Sequence, residues 1–253
     1  MVGQPAERAS GGGAFVSRLT LRGAPGFAAG FTRGALTARA LDPDVAARAL
    51  AEGLGAPDAE VLRLSQVHGA ITLTFEEPAR KRRTSILGTG DALATCQPNV
   101  LLAVASADCV PVVLADPVTG WIAAVHAGWR GTALRVLDAA LDALEARGVS
   151  PRNLAAAFGP SIARDRYEVG PEVLAALLAA YGAAPEGAVK PGAGGKAFVD
   201  VAAFGEAALL CRGLDPARIL RPGPCNAASS DLPSWRRDGP GAGRILTGVV
   251  RLS

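Results

Sequence analysis

The sequence predicts a mixed α/β (α+β) fold, with layered mixed β-sheets flanked by helices. Three observations carry that prediction. Near-continuous apolar runs at 100–109, 111–117 and 120–127 read as short strands buried on both faces. A helical periodicity follows at 131–147, and strand and helix patterns alternate from there to the C terminus. Several neighbouring strands are joined by turns too short for a crossover helix, so the sheets cannot all be parallel.

Each element can be justified in order. Residues 1–13, "MVGQPAERASGGG", contain no apolar segment after their charges and are expected to form a disordered tail rather than a secretory leader. Residues 14–253 are then expected to form one domain. "AFVSRLTL" (14–21) alternates as a strand. "DPDVAARALAEGLG" (42–55) reads as a helix with Asp42 as N-cap and Pro43 at its first position. "EVLRLSQVH" (60–68) reads as a strand that delivers His68 at its end, and "ITLTFEE" follows at once, which suggests a hairpin around Gly69. In the 131–147 helix, Leu134, Leu137, Leu141 and Leu144 share one face, with Asp138, Asp142 and Glu145 opposite. Beyond it come a strand at 154–160, a helix at 170–181, a loop at 184–196, a helix at 202–213 and a closing strand at 243–252.

Composition excludes several function classes. Charged residues are 19%, the net charge is +3 and aromatics are 5% of the 253 residues, which gives little platform for stacking nucleic acid. The longest basic run is "RKRR" (80–83), read as a solvated loop. No apolar stretch reaches the roughly 18 residues of a membrane span. The four cysteines form no C-x-x-C pair, consistent with free thiols and a cytoplasmic setting. "GTGDAL" (88–93) lacks the third glycine of a dinucleotide loop, and P-loop, G-x-S-x-G and H-E-x-x-H motifs are missing.

What remains is a constellation. Cys109 in "ADCVP", His126 in "VHAGWRG" and His68 in "QVHGA" each lie at or just beyond an expected strand end, and the two histidines are the only ones in the chain. Singly, each has an ordinary reading, as a hydrogen-bonded imidazole or a small buried thiol. Together they match the ligands that Zn²⁺ prefers, with three protein ligands leaving an open fourth position. A closed structural site would need Cys96, Cys211 or Cys225, none of which has knuckle-like spacing. Asp108 is either a turn residue or the carboxylate that orients a ligand histidine. Arg130, at a glycine-rich turn that enters a helix, is either a phosphate seat or the partner of a carboxylate. Trp129 is either a core aromatic or a stacking wall. Arg236, Arg237 and Arg244 form either a solvated turn or a second anion-contacting loop.

"SQVHGA", "GDALAT", "ADCVPVVLADP", "AVHAGWRG", "GPSIARDRYEVGPEV" and "RRDGPGAGR" stand in the order of the laccase-domain, polyphenol oxidase-like family, which the chain resembles from about residue 28 onward. The resemblance implies a zinc-dependent purine nucleoside phosphorylase with adenosine deaminase activity. The substrates would be adenosine, inosine, guanosine or methylthioadenosine, together with phosphate. It also implies that His68, Cys109 and His126 are the metal ligands. The chain departs from the family at 29–44, which is short of a Gly/Ser loop, at Ala163, Arg164 and Asp165, where relatives often place cysteines, and at Pro233 and Ser234, in place of an aromatic pair. Three rival readings stand beside this one: a copper-dependent polyphenol oxidase, a Cys109/His126 hydrolase editing peptidoglycan precursors, and a non-catalytic zinc- or nucleoside-binding module.

Overall fold

A computed structural model describes residues 15–221 and 225–253, so the expected tail at 1–13 lies outside the described residues. Two six-stranded sheets dominate. The first runs, edge to edge, through Val16–Leu19, Phe27–Thr32, Ile245–Arg251, Val100–Ser106, Glu60–Ser65 and Thr84–Thr89. Its first three pairings are antiparallel and its last two parallel. The second runs through Ile219–Leu220, Ala155–Phe158, Val110–Ala115, Ile122–Ala127, Ala92–Thr95 and Thr72–Phe75, with parallel pairs at its two edges and antiparallel pairs between.

The continuous apolar runs are explained by this layering. On Val100–Ser106, Leu102 and Val104 face the second sheet, while Leu101 and Ala103 face the helix Pro43–Gly53. On Val110–Ala115, Val113 and Ala115 face the first sheet, while Val112 and Leu114 pack on Leu137, Leu141 and Phe204 of the outer helices. Because both faces of each strand are covered, the period of two carries no polar residue. The expected layered mixed sheets flanked by helices are what the chain forms. Asp42 caps the first helix as expected, accepting from the Asp44 amide at 2.9 Å, with Pro43 at the first position.

Three expectations are corrected. The strands Glu60–Ser65 and Thr72–Phe75 do not form a hairpin; they lie in different sheets, and the chain switches layer between them at His68. A short connection between two alternating strands fits either outcome, so the pattern alone could not separate them. The 131–147 helix is broken: a single turn, Trp129–Ala133, precedes Val136–Glu145, and Arg135 between them has φ 63°. Leu134 therefore leaves the apolar face and is 60% exposed, whereas Leu137, Leu141 and Leu144 are buried. The 184–196 loop contains the strand Val189–Pro191, which joins Glu168–Val169 and Ala197–Val199 in a third, three-stranded sheet.

Candidate metal centre

The site is assembled around a residue that the sequence reasoning passed over. Asp91 ends the "GTGD" segment, fully buried, just before the strand Ala92–Thr95. Its Oδ1 accepts from His126 Nδ1 at 2.9 Å and from the His68 amide at 2.9 Å. Its Oδ2 accepts from the Gly69 amide at 2.7 Å and the Val67 amide at 3.3 Å. Its carbonyl accepts from the His126 amide at 2.7 Å. Three successive backbone amides thus close on one carboxylate, and this holds His68 at φ 60°, a left-handed conformation uncommon for its residue type. Burial pushes the Asp91 carboxyl up, but the bonds from His126 and Gly69 outweigh it and hold the group below the usual range.

Cys109 arrives from the other side of the layer switch. The chain leaves the strand Val100–Ser106, turns at Asp108 with φ 87°, and enters Val110–Ala115. The ligand-capable atoms of His68, Cys109 and His126 lie within 4.8 Å of one another, and the two imidazole rings meet edge to face with centroids 4.9 Å apart. Burial raises the Cys109 thiol, but hydrogen bonding from His126 and His68 more than offsets this and brings it down to about 7. Burial lowers His126, but Asp91 and Cys109 raise it further, to about 9. With Asp91 on Nδ1, the His126 proton is fixed there and Nε2 is left to face the cluster. Two nitrogens and a sulfur in this arrangement fit a metal cofactor. Among the described residues it is the only such cluster.

The glycines of "HAGWRG" serve this packing. A Cβ on Gly128 would stand 2.9 Å from Cys109 Sγ and 3.0 Å from His68 Cδ2. One on Gly131 would stand 2.9 Å from the Gly69 carbonyl oxygen. Glycine is required at both positions for lack of room rather than for backbone freedom.

The cluster opens into a cavity of about 610 Å³. Of the sequence-predicted residues, Trp129, Arg130, Arg236 and Arg244 all line it, as does Asp108. Arg130 forms no ion pair with a carboxylate among the described residues; its guanidinium lies 4.3 Å over the Trp129 ring. Trp129 packs on the outer core and also lines the cavity. The helix behind Arg130 is only five residues long, so the arginine itself, rather than a helix N-terminus, carries the positive charge there.

Two predicted roles are corrected. Arg237 does not line the cavity; it donates to the carbonyls of Asn226, Ser229 and Leu232 at 2.8–3.1 Å and pairs with Asp238, so it holds its own loop together. Asp108 does not orient a histidine. Its Oδ1 accepts from the buried Asn226 amide at 2.9 Å and its Oδ2 from the Arg236 backbone at 2.6 Å, which ties the C-terminal segment to the Cys109 turn. Tyr167 is a further residue missed: it lines the cavity beneath Arg236, whose guanidinium is 4.9 Å from its ring. Burial pushes its hydroxyl up to about 12, so it stays a neutral donor. Asp91 and Tyr167 both lie inside segments that carry the family resemblance, "GDALAT" and "GPSIARDRYEVGPEV", but residue type and spacing alone give neither a role.

Comparison with known proteins identifies relatives over most of the chain. Residues 44–252 match the family model described as multi-copper polyphenol oxidoreductase laccase. A protein named adenosine deaminase RL5, from an unknown prokaryotic organism, is 34% identical over 207 residues, covering 80% of this chain and 79% of that protein. A purine nucleoside phosphorylase of Deinococcus radiodurans is 36% identical over 196 residues, covering 78% and 72%. The crystal structure of YlmD from Geobacillus stearothermophilus superposes with a TM-score of 0.79 at 26% identity, covering 90% of this chain and 93% of that one. No helix among the described residues is long and apolar enough to cross a membrane. Matched over most of its length by that family model and by these relatives, the chain belongs to the polyphenol oxidoreductase laccase family.

Proposed function

We propose that this chain is a zinc-dependent purine nucleoside phosphorylase that also deaminates adenosine, with His68, Cys109 and His126 as the metal ligands. The observation that carries the reading is the composition of one cavity: an open two-histidine, one-cysteine cluster, flanked by Arg130, Arg236 and Arg244 and walled by Trp129 and Tyr167. The names of the relatives point to the same two activities. Since both six-stranded sheets supply residues to this one site, we also read residues 14–253 as one domain.

Zinc bound there would supply Lewis-acid activation of water for attack at C6 of adenine, by lowering the water pKa towards about 7. The residues of the chain do the rest. Asp91 holds His68 and His126 in register. Arg130 and Arg236 neutralise and hold phosphate, Arg130 having no carboxylate partner among the described residues. Trp129 packs against the base. In phosphorolysis a phosphate oxygen bonds to C1′ as the bond from C1′ to the purine nitrogen breaks, through an oxocarbenium-like transition state. The base takes up the proton that hydrogen phosphate gives up as its oxygen bonds to C1′, and the neutral Tyr167 hydroxyl is the group we assign to hydrogen-bond the leaving base.

A multi-copper oxidase fits these residues poorly. Reducing oxygen to water takes four electrons and several coppers, and the chain has two histidines in all. The test is chromatography of adenosine reactions with and without phosphate, paired with metal analysis. Adenine released only with phosphate, inosine formed without it, and about one zinc per chain support the proposal. Copper with phenol oxidation, or turnover that survives metal removal but not alkylation of Cys109, contradicts it.

A further inference from the structure

Next to the metal cavity lies a second one, of about 400 Å³, and the two share Ala105, Trp235 and Arg244 in their walls. Most of the second chamber's lining comes from residues 36–46 and 235–246, with Arg63 and Ala105 from neighbouring strands. Its walls are largely apolar, with Leu41 and Leu246 among them, yet Arg39, Arg63 and Arg244 also line it and no carboxylate does.

These arginines keep donors to spare. Arg63, with 17% of its side chain exposed, sends one nitrogen to Asp44, while its Nε is buried without a partner among the described residues. Arg39 uses one nitrogen on the Pro240 carbonyl. Arg244 places both of its hydrogen bonds through a single nitrogen, to Ala242 at 3.1 Å and Gly243 at 2.8 Å. Arg39 and Arg244 are exposed and Arg63 is half-buried, so three guanidinium groups gather on one mostly apolar chamber with no lining carboxylate, an arrangement that suits an anion of matching geometry. A chamber contiguous with a nucleoside-sized cavity would receive an anion attached to the nucleoside.

We propose that this second chamber binds the 5′-phosphate of a purine nucleotide whose base and sugar occupy the metal cavity. The phosphate is held by Arg39 and Arg63, with Arg244 and Trp235 at the junction between the chambers. The inference rests on the nucleoside reading of the metal cavity and adds a ligand class to it.

The test is calorimetric titration of the metal-loaded full chain with adenosine and with adenosine 5′-monophosphate, in buffer free of inorganic phosphate. The monophosphate should bind about tenfold more tightly than adenosine, the worth of one or two charge-assisted hydrogen bonds. Arg63→Met and Arg39→Met keep the apolar stems; each should remove most of that advantage while leaving adenosine binding and turnover unchanged. Two variants guard against one misfolding. Equal affinity of the two ligands in the native chain would overturn the proposal, as would an advantage kept by both variants but lost in Arg130→Met, which would put the phosphate in the metal cavity. Failure of adenosine itself to bind would instead overturn the nucleoside reading, and this inference with it.

Discussion

Asp91 and His126 share two contacts, side chain to side chain at 2.9 Å and His126 amide to Asp91 carbonyl at 2.7 Å, and the same carboxylate closes on the His68 backbone. One buried acid therefore orients the His126 imidazole and fixes the backbone that carries His68. Asp91→Asn should weaken metal binding by about 10–100-fold, the range typical of lost partners to ligand histidines. Asp108→Asn should change it far less, because Asp108 touches Asn226 and the Arg236 backbone instead. Chelator competition on both variants checks the contrast, and the reverse order would remove Asp91 from its assigned role.

Gly128→Ala tests how closely the cluster is packed. The added methyl meets Cys109 Sγ and His68 Cδ2 at about 3 Å, closer than side chains tolerate. We expect a folded chain, destabilised by about 1–3 kcal/mol through overpacking, with well under one metal per chain. Full metal occupancy in a stable variant would show that the ligands have more room than this geometry gives them.

In metal-free protein the Cys109 thiol, at about 7, is half ionised near neutral pH. Thiolate rises with pH, so alkylation should climb roughly tenfold from about pH 6 to about pH 8 and then level off. Zinc should protect it. Mass-spectrometric rates per cysteine read this directly, with exposed Cys211 as the reference. A rate still climbing steeply beyond pH 8 would mean an unperturbed thiol.

The two adjacent arginines should separate. Arg236 lines the metal cavity, so Arg236→Ala should raise the phosphate KM about tenfold or more. Arg237 binds three carbonyls of its own loop, so Arg237→Ala should lower stability by about 1–3 kcal/mol with little change in that KM. Phosphate titrations and thermal melts on both variants distinguish these outcomes.

What the sequence made legible follows from what it encodes locally. Strands buried on both faces announce themselves as unbroken apolar runs, and the Asp42–Pro43 cap is a short-range signal. Three scarce residues at strand ends pointed to the cluster before any distance was known. The layer switch at His68 was not legible, because alternation fixes a strand but not the sheet it joins. Nor was the break at Arg135, which holds φ 63° without being a glycine while its guanidinium pairs with Asp138 and lies over the Tyr181 ring. Asp91 was hidden for a related reason. The partners of its carboxylate lie 22 to 35 residues away in the chain, and they converge only when Ala92–Thr95 pairs with Thr72–Phe75 on one side and Ile122–Ala127 on the other.

The most direct test of the central claim follows inosine by chromatography with metal-loaded protein, with and without inorganic phosphate, beside His126→Ala. Hypoxanthine and ribose 1-phosphate should form in equal amounts, only when phosphate is present, and essentially none should come from the variant. Hypoxanthine release that ignores phosphate, or that persists in His126→Ala, would contradict that claim.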